Sequence, residues 1–304
     1  MSPEAATLPP GLTTRPLKTS ESRALFELIA AQELEDTGKV DIEEADLISD
    51  WAKPSHDLAA SSIGVFDGDR LVAYAELMGQ DRADAAVLPA YRGRGLGTWL
   101  ASWLRDLGRS RGTSVVGMPV PEGSAGDRLL AALGYRIRWT SWVLALPEGK
   151  QIPSRDLPAD YAVREATEAD LRPAHDVLED AFLEWSERER ESYEDFAAST
   201  FGRPGYEPWN FRVAVDPAGE VVGVSLVFIS TESPTAYIAR LAVRPDQRNK
   251  GIAQALLVDS FEVARQHGAT TSELNTDSRT GALSLYEKVG MATRSVWVNR
   301  AVDL

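Results

Sequence analysis

The sequence predicts an α+β fold built twice, each copy a mixed, mostly antiparallel sheet flanked by helices. Three observations predict it. VLPAYRGRGLG from Val87 and VRPDQRNKGIA from Val243 share the pattern V-x-P-x-x-R-x-x-G-x-(G/A), at an offset of 156 residues. The same offset carries Gly112 onto Gly268 and Gly134 onto Gly290, with no gap. Each glycine loop also follows strand-like segments and leads into a segment with the apolar period of a helix.

The elements follow in order. LPPGLTTRPLKTSES from Leu8 resembles LPADYAVREATEAD from Leu157, here at an offset of 149, so the second copy gains 7 residues before its loop. The stretch 146–158, LPEGKQIPSRDLP, is rich in Pro, Gly and charge and reads as a linker. This places two domains, 1–150 and 151–304. Each opens with a helix, 21–34 and 168–184, followed by a second, 43–52 and 190–200. Hairpins come next, over 62–77 with a turn at Asp67-Gly68 and over 211–229 with a turn at Pro217–Gly219. A strand then ends at Val87 or Val243. In the helix after the loop, Leu96, Trp99, Leu100, Trp103, Leu104 and Leu107 fall at three- and four-residue steps. Ala253, Leu256, Leu257, Phe261 and Ala264 do the same in the second copy. Gly112 and Gly268 stand where a left-handed residue ends a helix. A further strand and a short helix close at Gly134 or Gly290.

Composition narrows the function. The 304 residues suit two ordinary domains, and 43% apolar with 26% charged residues is typical of globular chains. The absence of cysteine excludes disulfides, thiolate nucleophiles and thiolate metal sites. His56, His175 and His267 are far apart and lack ligand spacing, so no metal is expected. A net charge of −14 argues against nucleic acid as a partner and suits a cationic acceptor. The N-terminal MSPEAATLPPG lacks the basic and apolar regions of a signal peptide, and no apolar run reaches membrane-spanning length. The expectation is a cytoplasmic protein with no membrane partner.

The glycine loop has a physical purpose. The first amides of a helix have no intrahelical partner, and the helix dipole adds partial positive charge beside them. Glycine lets a ligand approach the backbone closely. Together these make an anion pocket suited to a diphosphate, formed here by Arg92, Gly93, Arg94, Gly95, Leu96 and Gly97, and by Arg248, Asn249, Lys250, Gly251, Ile252 and Ala253. No Gly-Lys-Ser/Thr follows, so neither loop is a P-loop. The second copy also lacks a G-x-G-x-x-G dinucleotide pattern.

On these residues both halves resemble the GNAT acetyltransferase superfamily, over nearly the whole chain. The tandem layout is similar to that of mycothiol synthase and other two-domain acetyltransferases. The resemblance implies that Q/R-x-x-G-x-G/A binds the diphosphate of acetyl-CoA. It also implies a bulge in the strand before the loop, whose backbone pairs with the pantetheine arm: Leu241, Ala242 and Val243, and in the first half Ala85 to Val87. A splayed neighbour near Ser272–Thr276 would open a V-shaped gap, and a free amide near Leu241 or Val243 would hold the oxyanion. The family's tyrosine, four residues before the closing glycine, is matched by Tyr286, implied as general acid. Leu130 stands at the matching place in the first half. That half therefore either binds CoA without turnover or is structural. The family's asparagine before the short helix is missing, with Asn275 or Arg279 as replacements.

The acceptor region of the second half, 179–211, interleaves Glu184 with Trp185 and Trp209. Carboxylates beside aromatic rings suit an ammonium group, and they also suit a solvated helix face with aromatic anchors. Glu184, Glu187 and Asp195 are equal candidates for a general base. The sequence thus points to acetyl transfer from acetyl-CoA to a small-molecule amine, with a non-catalytic CoA-binding sensor as the alternative.

Overall fold

The computed structural model describes residues 7–147 and 149–304. The N-terminal reading of residues 1–11 falls partly outside them, as does Glu148 of the linker. In chain order the strands are β1 (Thr13–Arg15), β2 (Ser62–Asp67), β3 (Arg70–Met78), β4 (Arg82–Val87), β5 (Val115–Pro121), β6 (Arg136–Ala145), β7 (Ala162–Glu165), β8 (Phe211–Val215), β9 (Val221–Ile229), β10 (Thr235–Val243), β11 (Thr271–Asp277) and β12 (Ala292–Asp303). The helices are α1 (Ser22–Thr37), α2 (Glu44–Trp51), α3 (Leu58–Ser61), α4 (Leu96–Ser110), α5 (Ala125–Ala132), α6 (Leu171–Leu183), α7 (Tyr193–Thr200), α8 (Ile252–Gln266) and α9 (Leu283–Lys288).

Two compact units result, Met1–Ser141 with Ser295–Leu304, and Trp142–Arg294. The division falls inside β6 and inside β12. It differs from a single cut after residue 150, because strand pairing and not sequence repetition decides where each end packs.

In the first unit β1, β2, β3 and β4 pair antiparallel, and β5 joins β4 in parallel. The place beyond β5 is taken by the chain's own end, with Trp297–Asp303 paired antiparallel along β5. Val298 and Ala301 are buried there, and the Arg300 guanidinium donates to Asp127 at 2.7 Å. Leu71 to Leu77 on β3 are all buried, because α1 and α4 both pack on β3 and β4. An antiparallel strand loses its polar alternation when both faces are covered.

The second unit repeats the plan. β7, β8, β9 and β10 are antiparallel neighbours and β11 joins β10 in parallel. The end of β6 lies beside β11, where the Leu146 N–H donates to Ser272 O at 2.8 Å. Leu144, Leu146 and Ile152 are buried with Phe261 and Leu274. The stretch expected to be a linker is anchored to this unit's core through Leu146 and Ile152, while residues 149–151 and 153–156 are exposed.

Among the described residues no helix is long and apolar enough to cross a membrane. A chain ending at Arg294 removes the partner strand of β5. It is expected to lower the urea midpoint of the first unit clearly, followed by tryptophan fluorescence. An unchanged midpoint would show the last strand to be dispensable.

Candidate active site

The two loops have the same backbone. Arg92 and Arg248 are extended at φ −66°, and Gly95 and Gly251 cap their helices in the left-handed region at φ 88° and 86°. Gly93 lies at φ 74°, and Asn249 holds the matching place at φ 65°. Asparagine is among the few side-chain-bearing residues that tolerate this region, so the less glycine-rich second copy keeps the conformation.

The motif arginines are already engaged. Arg92 pairs in fork geometry with Asp36 of α1, both bonds at 2.8 Å. Arg248 pairs with Glu184 at the end of α6, at 2.6 and 2.7 Å. In both copies the arginine therefore ties the loop to the first long helix of its unit. Lys250 donates to Gln247 at 2.7 Å and Arg94 lies over the Tyr91 ring at 4.7 Å. The formal charge expected around the phosphates is thus largely committed to protein partners.

The two gaps differ. In the first unit β4 and β5 share one registered pair, Arg82 with Gly117, and then part. In the second, β10 and β11 pair from Thr235 with Thr271 to Ile238 with Leu274 before the pairing ends. A register shift between Ile238 and Arg240 marks a bulge in β10, two residues ahead of the expected Leu241–Val243. β4 runs in regular register with β3, so the bulge expected there is absent.

Amide direction follows from the antiparallel ladder, in which successive N–H groups alternate sides. Leu88 donates to Val72 and Arg244 to Val222, so Val87 and Val243 point the other way, toward the gap. In the first unit these edge amides are capped. Val87 N–H donates to the Gln32 side chain at 3.0 Å, and Ala85 N–H to Asp84 at 2.9 Å. In the second unit the repeat offsets put Ala181 where Gln32 stands and Arg240 where Asp84 stands. Neither side chain has an acceptor. The Leu241 and Val243 amides meet no side-chain acceptor among the described residues.

Tyr286 is buried in the same cluster as Ile238, Leu257, Leu274 and the partly buried Leu241. Burial pushes its phenol up to about 12, which keeps it protonated. Near the second loop, Trp185 lies beneath the Arg279 guanidinium at 4.7 Å, and Arg279 is held by Asp277 at 2.6 Å. The structure therefore gathers Arg248, Glu184, Trp185 and Arg279. Asn275 is exposed on β11 just past the last paired residue. Trp209 is elsewhere. It stacks on His267 at 4.2 Å, at the far end of α8, and a helix of that length spans about 22 Å.

The region of the second unit expected to face the acceptor is knitted by ion pairs. Glu179 is fully buried; burial raises its carboxyl, but Arg188 at 2.7 Å and the Glu191 N–H outweigh that and hold it low. Arg240 reaches Glu191 at 3.2 Å. Glu187 is exposed. Asp195 is buried at the start of α7.

The first unit holds a cavity of about 340 Å³ along its loop, between Val87, Gly95, Met118 and Leu130. Carboxyls stand beside β4. Glu76 and Asp84 are directly paired across β3 and β4, so their side chains share a face. Glu76 sits 2.9 Å from His56 and accepts from Trp51 at 3.3 Å. Burial raises the Asp84 carboxyl, opposed by Arg82 and reinforced by Glu76. Burial pushes Glu33 on α1 up to about 7, against the Ile42 and Asp41 N–H bonds. Among the described residues no group of three or more His, Asp or Glu is placed to hold a metal ion.

A family model described as the Acetyltransferase (GNAT) family matches residues 24–135 and 171–291. The chain belongs to the GNAT acetyltransferase family. Both of its units carry the family's fold, and it is an N-acetyltransferase with the glycine loop in duplicate. A mycothiol acetyltransferase of Salinispora tropica is 32% identical over 233 residues, 71% of each chain. One of Salinispora arenicola is 31% identical over 264 residues, 81% of each. Among solved structures, a GCN5-related N-acetyltransferase from Sphaerobacter thermophilus is similar with TM-score 0.74 and 27% identity, covering 98% of this chain and 97% of that one. A tandem GNAT protein from the clavulanic acid biosynthesis pathway shares the fold at TM-score 0.72 and 19% identity, covering 96% and 98%.

Gln32, Asp36 and Asp84 were not legible as site residues of this GNAT chain. Gln32 and Asp36 reach the gap and the loop from α1, and Asp84 turns back from β4 itself onto the next amide; only the offsets between the copies, compared position by position, signal them.

The raised Glu33 sets a pH dependence. Its folded form holds the proton more tightly than the usual 4.5, so its stability contribution is present below about 4.5 and lost as pH rises through about 7. Glu33→Gln keeps a carbonyl acceptor for the two N–H groups. It is expected to flatten the stability profile between those values, measured by urea midpoint against pH, and to exceed wild type at pH 8.

Proposed function

We propose that this chain moves an acetyl group from acetyl-CoA to the primary amine of a small molecule, and that residues 151–304 carry the chemistry. One observation carries this reading: among the described residues the Leu241 and Val243 amides meet no side-chain acceptor at their gap, with Leu241 in the same cluster as buried Tyr286, whereas Val87 and Ala85 are capped. An uncapped edge amide is what a developing oxyanion needs.

In the proposed reaction the free amine attacks the thioester carbonyl carbon, forming the C–N bond. The carbonyl oxygen takes up negative charge toward an edge amide. The C–S bond then breaks, and the Tyr286 hydroxyl gives its proton to the sulfur. The amine's extra proton leaves to solvent, and Tyr286 is reprotonated from it. A thiol leaves well unaided, so Tyr286 stands at the low end of general-acid effects, about 10²-fold.

Residues 1–150 are proposed to bind acetyl-CoA without turnover, with Leu130 in the place of Tyr286 and capped amides along β4. The cavity there supports a second reading, in which the first unit is a CoA-binding sensor. The relatives named mycothiol acetyltransferases support a small acceptor. Their acceptor belongs in the first amine panel tested.

Tyr286→Phe is expected to lower kcat about 10²-fold while acetyl-CoA affinity stays within about twofold, read by free-thiol release and calorimetry. Unchanged turnover removes Tyr286 from the mechanism. Gly251→Ala strains a left-handed loop residue and is expected to abolish turnover. Gly95→Ala is expected to lower only the binding stoichiometry, and a loss of turnover instead would move the chemistry to the first unit.

A further inference from the structure

The second loop carries a feature that the first lacks. A Cβ built on Gly251 would lie 2.9 Å from Arg155 Cδ and 3.1 Å from its Nε, whereas one on Gly95 would meet nothing within 4 Å. The Arg155 side chain thus lies directly on the helix-capping glycine, in space that only glycine leaves open. The segment that delivers it is pinned on both sides. Ile152 is buried with Leu257, and Leu157 packs against the group containing Ile252 and Leu256. The Gln254 amide, in the first turn of α8, donates to Pro153 O at 2.6 Å.

Arg155 is exposed and makes no ion pair or hydrogen bond among the described residues. Its neighbours on the loop are spoken for: Arg248 by Glu184, Lys250 by Gln247. A guanidinium is always charged and matches phosphate oxygens in fork geometry. It lies on the N-cap residue of α8, next to the turn whose amides have no intrahelical partner.

We infer that Arg155, from the segment between the two repeats, supplies the formal positive charge that grips the diphosphate of the acyl donor at the second loop. The inference rests on the proposed acetyl-CoA reading of that loop. The motif's own arginine is the tie that holds the loop to α6, and Arg155 does the work that the motif suggests for Arg248. Among the described residues the first loop has no counterpart, so the two sites hold the same donor with different strength.

The test uses the full-length chain. Wild-type turnover with acetyl-CoA is established first, and its absence overturns the reading beneath. Arg155→Ala is then compared with Arg155→Lys and wild type, with acetyl-CoA and with acetyl-pantetheine, which has no diphosphate. The expected result is an acetyl-CoA KM raised about tenfold with kcat within about twofold, as for one charge-assisted contact. Arg155→Lys should recover part of it, and the acetyl-pantetheine KM should not move. An unchanged or lowered acetyl-CoA KM overturns the role of Arg155, the latter marking the segment as a strap that the donor displaces. An equal rise for both donors also overturns it, since a structural defect does not distinguish them.

Discussion

A strand that loses its partner midway must do something with its unpaired N–H groups. Buried backbone donors are costly unless they find acceptors. In both units a parallel pair parts after few registered residues, one in the first and four in the second. The two units satisfy the exposed edge differently. The first unit spends two side chains on it, Gln32 and Asp84. The second has Ala181 and Arg240 at those places, and its edge meets no side-chain acceptor among the described residues.

The duplication makes that comparison internal. The two loops share dihedral angles within a few degrees, and in both an arginine binds a carboxylate at the end of the opening helix. The partners are not equally buried. Arg92 and Asp36 are 24% and 10% exposed, against 42% and 39% for Arg248 and Glu184. An exposed pair contributes at most about 1 kcal/mol, so the second tie positions the loop while costing little to rearrange. The loops have kept their shape, and the surroundings have diverged.

The carboxyl-bearing faces beside the gaps diverged as well. Beside β4 the first unit gathers Glu33, Glu76 and Asp84, with two of these carboxyls raised by burial. In the second unit the buried Glu179 pairs with Arg188, and the partly buried Glu191 with Arg240. The first arrangement resists ionisation. The second holds charge in place and orders the polar groups around α6 and α7.

The sequence by itself determined the duplicated fold, the helix after each loop, both hairpins and the glycine corners, because these depend on local periodicity and on residues that tolerate left-handed backbone. It also placed the two glycine loops in register, through one motif and one offset. Tertiary structure alone decided the rest. The last strand pairs with β5 because a sheet edge accepts whichever segment reaches it, and no local pattern records the choice. Trp209 lies with His267 and not with Trp185, because proximity on the chain does not fix which end of α8 a side chain meets. Gln32 and Arg155 come to their loops from 55 and 96 positions away along the chain, and only packing brings an acceptor to one edge and a cation to the other corner.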